Sequence, residues 1–156
     1  MSTLRSILFV CTGNICRSPV AEGYMRHALK ERGVFEEFSL DSAGVDSHHI
    51  GQAPDPRAQE TSLKYGVDIS DLRARNIRGR DFDMFDLILA MDETHLNKLN
   101  KHKPKQCKAH IALYLPYSQT TSTREVPDPY HGNISDFEYV HELAKMATEG
   151  IIKKLF

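Results

Sequence analysis

One stretch of eight residues near the N-terminus constrains the fold of this chain more than any other. It reads Cys-Thr-Gly-Asn-Ile-Cys-Arg-Ser and covers residues 11–18. A continuous apolar run over residues 7–10 precedes it, as is typical of a buried strand, and Pro19 follows at a position suited to the first turn of a helix. The order of strand, tight loop and helix predicts an anion site, because unpaired N–H groups and the positive end of the helix dipole face the loop.

The residues inside this segment, called the Cys11 loop below, fit such a site. Gly13 permits a sharp turn, and Asn14 adopts the left-handed conformation more readily than most residues. The loop N–H groups would stabilise the thiolate of Cys11, and Arg17 offers a planar fork for two oxygens of a tetrahedral oxyanion. The segment therefore predicts a phosphate site with a cysteine nucleophile. The alternative is a buried cysteine at the end of a core strand.

The Cys11 loop resembles the signature of the low-molecular-weight protein tyrosine phosphatase family. Further motifs in the family's order and spacing extend this resemblance over nearly the whole chain. They are Asp41-Ser42-Ala43-Gly44, Pro54-Asp55-Pro56-Arg57-Ala58, Ala74-Arg75, residues 85–92 and Val126-Pro127-Asp128-Pro129-Tyr130. The resemblance implies a protein tyrosine phosphatase that works through a phosphocysteine intermediate, without a cofactor or a metal ion.

The resemblance also assigns roles to particular residues. Cys11 would be the nucleophile, Arg17 would bind the phosphate oxygens, and Asp128 would be the general acid and base. The prolines on either side of Asp128 stiffen its loop, which helps to hold the carboxyl over a pocket. The phosphate-binding loop would comprise Thr12, Gly13, Asn14, Ile15, Cys16, Arg17 and Ser18.

A supporting network is implied around the nucleophile. The Ser18 hydroxyl would donate to the Cys11 sulfur, and helix N-capping is the alternative role for this serine. Asn14 and Ser42 would belong to a hydrogen-bond network that holds the loop in shape. Asp92 would either support that network or cap the helix that follows it.

Four residues at the expected entrance would form the rim of the substrate pocket: His48, His49, Tyr130 and His131. The three histidines depart from the family pattern, in which this region often carries aromatic residues. Leu72 is a further departure, since it stands where a histidine is often found and would leave the loop network with fewer partners. The sequence therefore predicts an intact catalytic floor and an altered rim.

The three cysteines, an odd number, favour a reducing compartment, and we expect a cytoplasmic protein. Cys16 is either a redox partner that forms a disulfide with Cys11, as the resemblance implies, or a small buried filler. Cys107 lies near His102 and His110, but a fourth ligand is missing and the spacing fits no standard zinc pattern. We therefore expect no metal site.

Alternating strand and helix patterns predict the architecture. Apolar strands are expected over residues 6–10, 38–40, 87–91 and 111–115, with helices over 19–32, 56–65, from 93, and from a capping box at 135–138. These elements indicate a single three-layer α/β domain over residues 1–156, with a central four-stranded parallel sheet flanked by helices on both faces, as in flavodoxin-like or Rossmann-like folds. The basic run over residues 72–80 is expected to be a solvated face.

Composition and the cysteine pattern limit the remaining possibilities. A net charge of −1 argues against a nucleic-acid partner, and no apolar run is long enough to span a membrane. We expect phosphotyrosine-containing proteins or peptides as substrates, and inorganic phosphate and similar oxyanions as product or inhibitors. The alternatives are an arsenate reductase, which needs relay cysteines absent around residues 80–92, and a module that binds phosphotyrosine without turnover.

Overall fold

The computed structural model describes residues 3–156, in which strands and helices alternate along the chain. Within this range the strands are β1 (Ser6–Cys11), β2 (Ser39–Gly44), β3 (Leu87–Ala90) and β4 (His110–Leu113). They form one sheet in the order β2-β1-β3-β4, and every neighbouring pair is parallel. The helices are α1 (Arg17–Glu31), α2 (Pro56–Lys64), α3 (Asp81–Met84), α4 (Glu93–His102) and α5 (Ile134–Leu155). The predicted four-stranded parallel sheet is confirmed.

Helices cover both faces of the sheet. Successive residues of a strand point to opposite sides, so the residues of β1 divide between the two faces. Ile7 and Phe9 lie in a core cluster with buried residues of α1 and α5. Leu8 and Val10, which alternate with them along β1, lie in a second cluster with Leu99 of α4. A central strand that is buried on both faces must be apolar at consecutive positions, which explains the continuous run in the sequence.

Near the Cys11 loop, two elements differ in length from the prediction. Helix α1 begins at Arg17, so Ser18 lies within its first turn and is not its N-cap. Strand β2 continues to Gly44 and does not end at Leu40, since Ser42 pairs with Phe9 across the sheet. Both extensions bring polar residues of the predicted network into regular structure beside the loop.

Helix α5 packs its predicted apolar face inward, with Phe137, Val140, Ala144, Ala147 and Ile151 all buried. Its capping box, however, is not at residues 135–138. Asn133 Oδ1 accepts from the Ser135 N–H at 3.1 Å, and Asp136 Oδ2 accepts from the Asn133 N–H at 2.9 Å. Asparagine is as good an N-cap as serine, so the earlier residue starts the helix.

The basic run over residues 72–80 is a solvated face in part. Arg73, Arg78 and Arg80 are exposed, as predicted. Arg75 is mostly buried and forms ion pairs with Asp41 and Asp81, each at 3.0 Å. It therefore links β2 to α3.

Three strand ends converge at the edge of the sheet where a ligand binds in folds of this class. Cys11 ends β1, Gly44 ends β2, and Asp92 follows β3. A side chain at Gly44 would place its Cβ only 2.7 Å from the carbonyl oxygen of Thr12. Glycine at this position lets the Cys11 loop lie directly against the end of β2.

Candidate active site

The Cys11 loop turns at Asn14, which has a φ of 60°, in the left-handed region. The Asn14 side chain is fully used in holding that turn. Its Nδ2 group donates to Ser18 Oγ at 2.7 Å and to Ser42 Oγ at 2.9 Å, and its Oδ1 atom accepts from the Arg75 N–H at 3.0 Å. The residues predicted as a supporting network thus lie together. These bonds offset the cost of the left-handed backbone.

Cys11 is buried at the floor of the site, with its Sγ atom 3.0 Å from Ser18 Oγ. The direction of this contact follows from the network. Ser18 Oγ already accepts a hydrogen from Asn14, so its own hydrogen is free to donate to the Cys11 sulfur. Such a donor can stabilise negative charge that develops on the sulfur during a reaction.

The chain of hydrogen bonds ends on a residue that the sequence analysis missed. Ser42 Oγ donates to Glu22 Oε1 at 2.7 Å, and Glu22 is 5% exposed. Burial raises the pKa of Glu22 to about 7. Leu72, which stands where a histidine is often found in the family, does not join this network and packs against the apolar core. A glutamate on the inward face of α1, four residues after Ser18, was the signal available in the sequence.

Arg17 is 3% exposed and its guanidinium is held on two sides. Its Nη1 group donates to Asp92 Oδ2 at 3.0 Å and to the carbonyl oxygen of Val126 at 2.9 Å. Its Nη2 group donates to Thr12 Oγ1 at 3.1 Å. This leaves donors on the Nε edge for two oxygens of an anion.

Asp92 combines both of the roles that the sequence left open. Its Oδ2 atom accepts from Arg17, while its Oδ1 atom accepts from the N–H of His95 and caps α4. Burial opposes ionisation, but the His95 N–H and the charge of Arg17 outweigh it and lower the pKa of Asp92 below its ordinary value. These contacts favour the ionised carboxylate behind the arginine.

His95 is a second buried residue that the sequence analysis did not single out. Its Nε2 atom lies 2.8 Å from Thr12 Oγ1, and its Nδ1 atom lies 3.1 Å from Asp92 Oδ1. Burial, and after it the charge of Arg17, lower the pKa of His95 to about 4. The only signal in the sequence was its position in the first turn after Asp92. That signal is weak, because a histidine equally suits the exposed start of a helix.

Asp128 lies across the mouth of the site, with Oδ2 3.8 Å from Arg17 Nη2 and half of its side chain exposed. Its loop is fastened from behind by Arg57 of α2. The Arg57 guanidinium donates to the carbonyl oxygens of Tyr130 at 2.9 Å and Gly132 at 3.3 Å, and to Asp55 Oδ2 at 2.9 Å. The carboxyl thus stands over the loop in a segment with a fixed anchor.

A cavity of about 200 Å³ joins these groups. Its floor and walls contain Cys11, Thr12, Gly13, Ile15, Cys16 and Arg17, and its mouth contains Asp46, His48, His49, Asp128, Tyr130 and His131. All four predicted rim residues therefore lie at the opening. Asp46 was not predicted; its Oδ1 atom lies 2.7 Å from His48 Nδ1.

The remaining cysteines differ in their surroundings. Cys16 lines the cavity near Cys11, and burial raises the pKa of the Cys16 thiol. Cys107 packs against the core cluster on the other face of the sheet, where its Sγ atom contacts the carbonyl oxygen of Ala109 at 3.4 Å. Among residues 3–156, no three His, Cys, Asp or Glu side chains are grouped to hold a metal ion.

Within the same residues, no helix is both long enough and apolar enough to cross a bilayer.

Comparisons with known proteins agree with the site. The family model for low molecular weight phosphotyrosine protein phosphatase matches residues 6–156. Proteins of that name from Homo sapiens and Rattus norvegicus are 40% and 39% identical to this chain over 155 residues, with 96% of this chain and 95% of each relative covered. A protein tyrosine phosphatase from Entamoeba histolytica, crystallised with HEPES in its active site, superposes with a TM-score of 0.92 and 38% identity, covering 97% of this chain and 96% of that one. The resemblance seen in the sequence is thus confirmed, and this chain belongs to the low molecular weight phosphotyrosine protein phosphatase family.

Proposed function

We propose that this protein hydrolyses phosphotyrosine, and aryl phosphate monoesters of similar shape, through a phosphocysteine intermediate on Cys11. The observation that carries the proposal is the small cavity that Cys11, Arg17 and Asp128 all line. A nucleophile, an oxyanion binder and a proton donor are the three parts that this reaction needs. No metal ion or cofactor takes part in the proposed steps.

In the first step, the Cys11 thiolate attacks phosphorus, so the S–P bond forms as the P–O bond to the aryl group breaks. Arg17 and the loop N–H groups bind the equatorial oxygens, whose charge is greatest in the transition state. Asp128 gives its proton to the departing oxygen. Its place at the mouth of the cavity suits a leaving group that points outward.

In the second step, water attacks phosphorus and the S–P bond breaks. Asp128, now a carboxylate, takes a proton from that water, as microscopic reversibility requires. Ser18 donates to the sulfur as it leaves, across a contact of 3.0 Å. The product, inorganic phosphate, occupies the same oxyanion site, and we expect it and similar oxyanions to be competitive inhibitors.

The arsenate reductase alternative is disfavoured by the cysteines. A disulfide relay needs a third thiol near the first two, but Cys107 packs in the core cluster on the opposite face of the sheet from Cys11 and Cys16. A module that binds without turnover would have no use for Asp128 beside Arg17.

Two finer expectations belong to the same proposal. We place the protein in the cytoplasm, where its unpaired thiols stay reduced. We also propose that Cys16 protects Cys11: peroxide would oxidise both thiols to a disulfide and be reduced to water, and a cellular dithiol would reverse the reaction. Both cysteines are free and line one cavity.

The deciding experiment measures turnover of p-nitrophenyl phosphate and of a phosphotyrosine peptide in the presence of EDTA. Wild type is expected to be active, and Cys11→Ser is expected to lose turnover while it still binds phosphate. Cys107→Ser is the matched control, because that thiol lies outside the cavity. Turnover that survives in Cys11→Ser would refute the mechanism.

A further inference from the structure

Two side chains behind Arg17 have no role in the chemistry described above. Thr12 Oγ1 lies 3.1 Å from Arg17 Nη2 and 2.8 Å from His95 Nε2. We propose that Thr12 and His95 are positioning residues that hold the Arg17 guanidinium in its phosphate-binding orientation. The inference rests on the proposed function, in which Arg17 binds the phosphate oxygens.

A count of the Arg17 donors shows what Thr12 contributes. Both hydrogens on Nη1 are used, by Asp92 Oδ2 at 3.0 Å and by the Val126 carbonyl oxygen at 2.9 Å. Thr12 Oγ1 at 3.1 Å and His95 Nε2 at 3.5 Å lie on one side of Nη2, 2.8 Å from each other, and share one of its hydrogens. The N–H on Nε and the second N–H on Nη2 remain, and they are parallel on one edge of the guanidinium, as a two-pronged contact to phosphate requires.

Without the Thr12 hydroxyl, the guanidinium would keep its two contacts at Nη1, and Nη2 would keep only the longer contact of 3.5 Å to His95 Nε2. Rotation about the Nη1 end swings the Nε edge away from the cavity, although the charge stays in place. Thr12 is therefore the second point of attachment that sets the angle of the fork.

The position of each hydrogen explains the part played by His95. A guanidinium can only donate, so Thr12 Oγ1 accepts from Arg17 and its own hydrogen is free to donate to His95 Nε2. Nε2 is then the unprotonated nitrogen, and the ring hydrogen lies on Nδ1, which faces Asp92 Oδ1 at 3.1 Å. That last contact is electrostatic, since it lacks the alignment of a hydrogen bond.

The surroundings of His95 keep the ring in this form. It is 1% exposed, and its Nε2 atom is 3.5 Å from Arg17 Nη2. Protonation of Nε2 would therefore place a charged imidazolium next to the Arg17 guanidinium. A protonated ring could no longer accept from Thr12. The neutral imidazole can therefore accept the hydrogen of the Thr12 hydroxyl, which in turn orients Arg17.

The test compares Thr12→Val, which removes the hydroxyl and keeps the shape, with Thr12→Ser, which restores the hydroxyl. Thr94→Val is the matched control, because Thr94 is exposed and adjoins His95 in α4. Each protein is assayed for kcat and KM with p-nitrophenyl phosphate, for the inhibition constant of inorganic phosphate, and for alkylation of Cys11 by iodoacetate and by iodoacetamide. The two reagents separate binding of an anion from the reactivity of the thiolate itself.

We expect Thr12→Val to lower kcat/KM and to weaken phosphate inhibition by about tenfold, as the loss of one hydrogen bond to a charged group predicts. Alkylation by the anionic reagent is expected to slow by a similar factor, and alkylation by the neutral one to change less than about twofold. Thr12→Ser and Thr94→Val are expected to stay within about twofold of wild type. In a Thr12→Val/His95→Phe double variant the loss is expected to be no greater than the larger single loss, because both residues act in one chain.

Three results would overturn the inference. Thr12→Val could match wild type, Thr12→Ser could lose as much as Thr12→Val, or the two alkylation rates could fall together. His95 is buried, so if His95→Phe does not fold, the Thr12 pair alone decides. Failure of the proposed function would be seen in a different variant: Cys11→Ser would then retain turnover, whatever the Thr12 variants do.

Discussion

Glu22 offers a test of the buried network that needs no substrate. Burial raises its pKa from an ordinary value of 4.5 to about 7. Between these two values the folded protein holds a proton that the unfolded chain has released, so stability falls as the pH rises through this window. A shift from 4.5 to about 7 corresponds to about 3 kcal/mol of unfolding free energy.

The perturbation is Glu22→Gln. Glutamine has no proton to release, and its amide oxygen can still accept the Ser42 hydroxyl hydrogen. We therefore expect the free energy of unfolding of the variant, minus that of wild type, to increase by about 3 kcal/mol between pH 4.5 and pH 8.

Urea unfolding followed by far-UV circular dichroism at pH values across this range gives the difference directly. The two buried histidines, His95 and His141, have pKa values lowered to about 4, so they destabilise the fold in acid, but they are present in both proteins and cancel. Glu60→Gln is the matched control, because it makes the same exchange at an exposed position in α2. A constant difference between Glu22→Gln and wild type across the window would refute the reasoning.

Three further outcomes are expected. Asp128→Ala lowers kcat for phenyl phosphate by about 100-fold or more but lowers it less for p-nitrophenyl phosphate, whose leaving group needs little protonation; equal losses would deny Asp128 the acid role. Arg17→Lys lowers kcat/KM by about 100-fold, because an ammonium cannot keep its contacts to Asp92 and Thr12 and still present a fork; steady-state kinetics on folded protein decides this. Gly150→Ala destabilises the fold by about 3 kcal/mol, because a Cβ there would lie 2.9 Å from Ser118 Cα and collide with the Tyr117 carbonyl, whereas Gly79→Ala, with open space around it, leaves the thermal midpoint nearly unchanged.

The sequence predicted those parts of the molecule that local patterns determine. The apolar run of β1, the glycine and asparagine of the Cys11 loop, and the apolar face of α5 each follow from periodicity or from backbone preferences. The sheet then follows from right-handed connections between parallel strands. The resemblance to a family supplied the distant residues, such as Asp128.

What the sequence did not predict depends on contacts between distant segments. Glu22 and His95 read as ordinary helix residues until the fold places one beside Ser42 and the other beside Thr12. Arg75 belongs to a run of basic residues, and only the positions of Asp41 and Asp81 show that it is held inward. Polar residues in buried networks carry no periodic signal, because their partners are set by tertiary structure.

The register of the sheet implies that the site around the reactive cysteine is completed only at the end of folding. Cys11 lies opposite Gly44, and Val10 lies opposite Ala90, so the loop and its supports come together across long stretches of chain. Contacts of this kind form slowly, because the entropy of loop closure opposes them. A chain in which β2 has not docked contains the cysteine but lacks the backing of its loop, and a chain in which β3 has not docked lacks the anion behind Arg17. Recovery of turnover during refolding therefore measures the completed sheet, and destabilising substitutions far from the cavity reduce activity through the folded fraction before they alter any chemical step.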